Sequence, residues 1–128
     1  MSEVRSPELA LIESTWAALR AGELDAVEAA FAPQARWLGV QEGQLCENRS
    51  QILAMIARPG AAAPGAAIER ASQFGDRVLV AFRPDRPPEE RPLEDGIAWV
   101  VVTVREGHIV ELKGCADEAQ ALAYAGAS

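Results

Sequence analysis

Thiol and imidazole groups are scarce in this chain: two cysteines, Cys46 and Cys115, and a single histidine, His108. Two cysteines make neither a disulfide framework nor a thiolate cluster, so a reducing cytoplasm is the expected compartment. One histidine permits neither HxH nor HExxH spacing, and no metal site is expected. Neither GxGxxG nor GxxxxGK[ST] occurs, so no nucleotide cofactor is expected; no cofactor of any kind is assigned. Positive charge is short as well. Twelve Lys and Arg against nineteen Asp and Glu leave a net charge of −7, which argues against nucleic acid as a partner. No apolar run approaches the ~18 residues that a membrane helix needs. The opening MSEVRSPELA has no basic region followed by an apolar stretch, so neither a membrane nor a secretory route is expected. What remains is a chain of 128 residues, 49% hydrophobic, with no linker or repeat to divide it: one globular domain over 1–128.

Alanine is abundant, with 25 residues, and it favours helix while adding little packing volume. Residues 7–20 read as a first helix. Pro7 and Glu8 suit its first turn, Leu9, Ile12, Trp16 and Leu19 make one apolar stripe, and Gly22 suits the left-handed stop. A second helix is expected over about 23–31, with Leu24, Val27 and Phe31 inward and Pro33 ending it. Residues 35–40 read as a short strand and Glu42-Gly43 as a turn. Asn48 or Ser50 can cap a third helix over about 49–57, with Ile52, Leu53 and Ile56 inward. The stretch 58–67 reads as a Pro/Gly/Ala loop.

The period then changes. Ile68 to Phe74 alternates, with Ile68, Ser72 and Phe74 expected on one face. Gly75-Asp76 is a turn and Val78–Phe82 a strand. Residues 96–104 and 108–115 are strands joined by a two-residue hairpin at Glu106-Gly107. The Pro- and charge-rich stretch 83–95 is too long for a tight hairpin, and reads as a rim over a cavity mouth or as a solvated loop. Asp117 can cap a last helix closed by Gly126. Helices grouped before a meander argue α+β, with helices packed on one face of a curved sheet. In 97–104 both faces are apolar: Ile97, Trp99 and Val101 on one, Ala98, Val100, Val102 and Val104 on the other. The second face needs a cover, either the same sheet of a second subunit, making a homodimer, or the chain's own C-terminal helix.

The segment from Trp16 through Gly22-Glu23-Leu24-Asp25-Ala26-Val27 to Phe31-Ala32-Pro33, Ala35 and Trp37 resembles the helix–helix–strand opening of the nuclear transport factor 2-like superfamily, and within it the SnoaL-like polyketide cyclase branch. The hairpin from Arg105 to Leu112 and the ending from Asp117 to Gly126 resemble the last two strands and the closing helix of that group. The resemblance implies a cystatin-like cone, an α+β barrel in which a curved antiparallel or mixed sheet wraps the first helix and leaves a cavity at its wide end. It also implies frequent dimerisation through the outer sheet face. Members include isomerases, cyclases, hydrolases and plain binding modules, so fold leaves function open.

The chemistry of the similar enzymes fits poorly. Ketosteroid isomerases use a carboxylate base, a tyrosine and a protonated acid; the matching positions here fall at about Gly39, at about Thr15 and within Trp99–Val101, and none carries the group. An epoxide hydrolase's Asp–Arg–Asp set finds no acid in 97–104. Glu111 is the first catalytic candidate. Inward, burial would raise its pKa and make it an acid/base group; outward, it is a strand carboxylate pairing with Lys113 or Arg105. His108, just past a hairpin turn, is the second candidate, against an ordinary turn residue. Cys46 and Cys115 read as a dyad partner for His108 or as inert small hydrophobes.

The aromatics carry the ligand expectation. Trp16, Trp37, Phe74, Phe82 and Trp99 lie on the elements that border the cavity of a cone. They read either as the wall of a pocket for a small hydrophobic ring compound, with indole N–H groups as handles, or as ordinary core. Two functions follow. One is a cofactor-independent acid/base enzyme of isomerase, cyclase or hydrolase type on a cyclic or polyketide-like substrate. The other is a non-catalytic homodimeric binding or regulatory module.

Overall fold

A computed structural model describes residues 6–40, 43, 45–57, 66–84 and 96–126. The expected turn at Glu42 and most of the stretches 58–67 and 83–95 lie outside them.

Helix α1, Pro7–Ala21, starts where Ser6 Oγ accepts the Leu9 N–H at 3.1 Å, and stops at Gly22 in the left-handed region, φ 79°. Ile12, Trp16 and Leu19 of its stripe are buried. Helix α2, Leu24–Ala30, ends one residue earlier than its sequence pattern suggests, because Phe31 is already extended. Leu24, expected inward, is 45% exposed, while Val27 and Phe31 are buried.

Strand β1, Phe31–Leu38, therefore begins at Phe31 and contains Pro33. It pairs in parallel with β6, His108–Cys115, and the ladder breaks between Phe31 and Arg36. Pro33, which has no N–H to give, falls in that gap. A two-residue strand β2, Leu45–Cys46, borders β1 at Trp37 and Leu38. Helix α3, Arg49–Ile56, is capped by the Asn48 side chain, which accepts the Gln51 N–H at 2.9 Å.

The remaining strands are β3, Ala67–Phe74, β4, Arg77–Arg83, and β5, Ala98–Arg105. The six form one curved, unclosed mixed sheet in the order β2-β1-β6-β5-β4-β3. The β5–β6 turn puts Glu106 at φ 51° and Gly107 at φ 78°, the two positive φ values that a tight hairpin twisted like its strands requires. Helix α4, Glu118–Ala125, is capped by Asp117, which accepts the Gln120 N–H at 2.9 Å, and closes at Gly126.

The sheet separates two apolar clusters. On the concave face, Val78, Val80, Phe82, Val102, Val104, Ile109 and Leu112 pack with Ile12, Trp16, Leu19, Val27, Phe31, Ile52 and Ile56 of the helices and β1. On the outer face, Leu79, Val101 and Cys115 pack under Ala121 and Ala125 of α4, with Phe74, Trp99 and Tyr124 at the margin. The cover for the second face of β5 thus comes from the chain's own last helix. Among the described residues, no helix is long and apolar enough to cross a membrane.

Candidate functional site

Two of the five expected pocket aromatics meet directly. The Trp16 ring, carried by α1, lies 4.6 Å from that of Phe82 on β4, centroid to centroid, tilted by 33°. Trp37, on β1, packs half-buried against the same concave cluster. Phe82 stands in register with Ala98 of β5 and Ile68 of β3. Along β5 the concave side opens progressively: Val104 and Val102 are fully buried, whereas Val100 and Ala98 are only half-buried. Ile68, Leu53 and Trp37 are half-buried too. Apolar side chains left part-exposed on a concave surface are where an apolar ligand gains most from contact.

Phe74 and Trp99 are on the other side. Alternation along β5 sends Trp99 outward with Val101, where the Arg70 guanidinium stacks over its ring at 5.4 Å. Phe74 leaves the concave face for a different reason. Ile68 pairs with Phe82 but Arg70 pairs with Ala81, so Glu69 is an extra residue in β3. Such a bulge inverts the alternation beyond it. Ile68 and Phe74, expected on one face, end on opposite faces.

Glu111 also points outward. Thr103 pairs with Glu111 while Val104 pairs with Ile109, so Val110 is the extra residue in β6. Glu111 then shares the outer face with Lys113 and Cys115. Its partner is neither of the expected cations: Tyr124 of α4 donates its hydroxyl to Glu111 Oε1. Lys113 Nζ instead donates to the Gly39 carbonyl at 3.0 Å, and Arg105 pairs with Asp76 at 3.1 Å. Burial and, next, the Glu111 hydrogen bond push the Tyr124 phenol up to about 12. Arg77 lies 4.9 Å over the same ring and donates to the Tyr124 carbonyl. This cluster, absent from the sequence expectation, anchors the end of α4. An acid on the last strand and the one tyrosine, carried by the last helix, were its only sequence signal.

His108 is exposed at the hairpin, its Nδ1 3.1 Å from the Glu106 carbonyl. Cys115 lies at the far end of the same eight-residue strand, about 23 Å away at strand rise, so the two form no dyad. Cys46 sits on β2 beside Met55, with 4.0 Å between the sulfurs. Burial raises both thiols, opposed at Cys115 by Lys113 and reinforced by Asp117, and a thiol held protonated is a poor nucleophile. Of the isomerase-equivalent positions, the Thr15 hydroxyl donates to the Leu11 carbonyl at 2.6 Å, and the Gly39 carbonyl is taken by Lys113.

Among the described residues, two buried polar atoms have no partner: Trp16 Nε1 and Thr103 Oγ1. A separate open groove of about 480 Å³ runs between α1 and α2, lined mainly by alanines with Leu11, Ser14 and Glu23. None of the expected pocket aromatics borders it.

A long capped helix laid on the concave face of a mixed six-stranded sheet defines a nuclear transport factor 2-like cone. Solved structures agree. A Burkholderia xenovorans protein of this fold and unknown function is 19% identical at a TM-score of 0.66, with 87% of this chain and 84% of that one covered. A proposed ketosteroid isomerase from Kribbella flavida is 16% identical at 0.68, covering 88% and 78%. TerC, co-crystallised with polyporic acid, is 17% identical at 0.61, covering 89% and 94%. No curated protein matches. Residues 12–112 match the SnoaL-like domain family, and the chain belongs to it.

Proposed function

We propose that the protein binds a small apolar ring compound on the concave face and acts as a binding module, without acid/base chemistry from Glu111 or His108. The observation that carries this reading is the Trp16–Phe82 pair in register with the half-buried Ala98 and Ile68. Aromatic faces beside part-exposed aliphatic side chains suit a flat hydrophobic body. Glu111 and His108 lie off that face, which favours binding over catalysis. TerC, a neighbour in fold, was crystallised with polyporic acid, which is compatible with a ligand role here. Two unpaired thiols, one buried and one half-buried, support a reducing, cytoplasmic setting.

The test is a thermal-shift screen of apolar ring compounds, followed by tryptophan fluorescence. A ligand at a hundred times its Kd stabilises by about 2.7 kcal/mol and should raise Tm by about 5–10 °C. Ala98→Phe, which fills the open end, should abolish the rise. A screen without any shift, or a shift that survives Ala98→Phe, would refute the reading.

The proposal extends to a homodimer across the outer face. Because α4 already covers Leu79 and Val101, such a dimer would join α4, with its exposed Leu122, to its counterpart. A single 13.7 kDa species by light scattering at micromolar concentration would exclude it.

A further inference from the structure

Of the two cysteines and two methionines in this chain, one of each meet. Cys46 is carried by β2 and Met55 by the last turn of α3, with 4.0 Å between Sγ and Sδ. The link between the two elements is held by side chains. Asn48 accepts the Gln51 N–H, and the Gln51 side chain in turn accepts the Glu47 N–H. The chain is thereby folded so that the Cys46 thiol donates to the Met55 thioether. A thiol is a weak donor and a thioether a weak acceptor, so the contact adds little stability. What it fixes is direction: a lone pair of Met55 faces the Cys46 proton.

A proton and a soft metal ion compete for the same thiolate, and here the proton lies between two sulfurs. Bonds of about 2.3 Å, the ordinary metal–thiolate length, close the gap of 4.0 Å at an angle of about 120°. That is the angle of a three-coordinate centre with one position left for an external donor. Cys46 and Met55 are both half-buried, so an ion and a third donor, water or a small thiol, can reach them.

The surroundings select the charge of the ion. Trp37 of β1 stands directly opposite Cys46, and it packs with Leu53 and Cys46 on the concave apolar cluster. Burial alone raises the Cys46 thiol; no charged group among the described residues contributes to the shift. A monovalent ion that replaces the proton leaves a neutral thiolate complex, which suits an apolar, half-buried place. Zinc(II) would leave a net positive charge there and would lack the further donors that close a tetrahedral site. Thiolate and thioether are also the soft donors that select copper(I). Cys115 is the contrast, since its Sγ faces the Lys113 carbonyl at 3.7 Å.

We propose that Cys46 and Met55 together bind a soft monovalent cation, copper(I), through both sulfurs. Binding forms the two sulfur–metal bonds and releases the Cys46 proton to solvent, with no change of oxidation state. The site does not depend on ligand binding at the concave face. Spacing rules built on His and Cys pass over the pair, because its second donor is a methionine.

The test uses the reduced full chain without oxygen, copper(I) as the probe and a chromophoric copper(I) chelator as competitor. The chain should withdraw one ion from the chelator. Cys46→Ser should abolish this, and Cys115→Ser should leave it intact. Met55→Leu, which keeps the volume, should weaken binding by at least about tenfold, the cost of losing even a residue that only supports a metal ligand. Met1 and Met55 are the two methionines. In a chain carrying 13C at the methionine methyls, one of two resonances should therefore move with copper(I), and Met55→Leu should remove that one. Zinc(II) should move neither. An affinity unchanged by Met55→Leu, or a Met55 methyl that stays in place while copper(I) is bound, reduces the site to an ordinary thiol and overturns the proposal. Failure to withdraw copper(I) from the chelator, or loss of binding in Cys115→Ser with retention in Cys46→Ser, overturns it as well. Movement of the Met55 methyl by zinc(II) overturns the selection for a monovalent ion. If Cys46→Ser does not fold, the Met55 methyl of the native chain decides.

Discussion

Tyr124 is the only tyrosine in the chain, so its ionisation can be followed directly by the near-ultraviolet absorbance of tyrosinate. In the folded protein the phenol is pushed up to about 12 from 10.0, first by burial, then by the hydrogen bond and charge of Glu111, against a smaller opposing pull from Arg77. The folded chain therefore holds this proton more tightly than the unfolded chain. The stabilisation is fully present below pH 10 and is lost as pH rises through 12. Two pH units correspond to about 2.7 kcal/mol at most. The ring is partly exposed, and solvent screening brings the share to about 1 kcal/mol. An absorbance titration, with far-ultraviolet circular dichroism recorded on the same samples, should give a midpoint near 12 while the fold persists. Glu111→Gln removes the charge but leaves the burial, so the midpoint should fall part of the way towards 10.0. Chemical denaturation should show stability falling from about pH 9, where the two raised thiols begin to contribute, with a further fall above pH 10 that Glu111→Gln reduces. A native midpoint at 10 with the dichroism unchanged, or no response to Glu111→Gln, would refute the argument that α4 is pinned through this pair.

Thr103 is 3% exposed, and its hydroxyl has no partner among the described residues. Thr103→Val removes that group at constant shape and should stabilise the protein by about 1 kcal/mol in urea denaturation; a loss of stability would mean that the hydroxyl is satisfied. Glu106 occupies the left-handed region at φ 51° ahead of Gly107. Glu106→Asn supplies the residue that this turn prefers and should raise stability by about 0.5 kcal/mol, read as a higher Tm; an unchanged or lowered Tm would contradict the assigned turn.

Local chemistry made much of the fold legible. Pro7, Gly22, Asn48, Asp117 and Gly126 act within one turn of the backbone they terminate, so their effects are written next to them in the chain. The Glu106-Gly107 hairpin is of the same kind. Phe31 was not legible as a strand start, because a large apolar residue after Ala29-Ala30 fits the buried face of a helix as well as the first position of a strand. What decides is its pairing with Ile109, a contact 78 residues distant. Within β5 the alternation predicted correctly that Trp99 and Val101 share one face and Ala98, Val100, Val102 and Val104 the other. It does not say which face meets α1 and which meets α4, and that assignment separated Trp99 from Trp16.

Single-residue bulges explain the rest. Counted by strict alternation from the inward-facing Ile109, Glu111 would sit on the concave face, the inward reading of the sequence. Val110, unpaired between Ile109 and Glu111, turns the strand by half a period and delivers the carboxylate to Tyr124 instead. Glu69 does the same in β3, sending Phe74 away from Ile68. Neither bulge residue is a glycine, and both strands read as ordinary alternation in sequence, so nothing local marks the slip. One bulge removes an acid from the concave face and the other removes an aromatic from it. The register of these two strands therefore sets the chemistry of the interior as much as the identity of the residues does. The concave face keeps Trp16, Trp37 and Phe82 and loses Glu111, which leaves it apolar, and the displaced carboxylate meets Tyr124 of α4 instead.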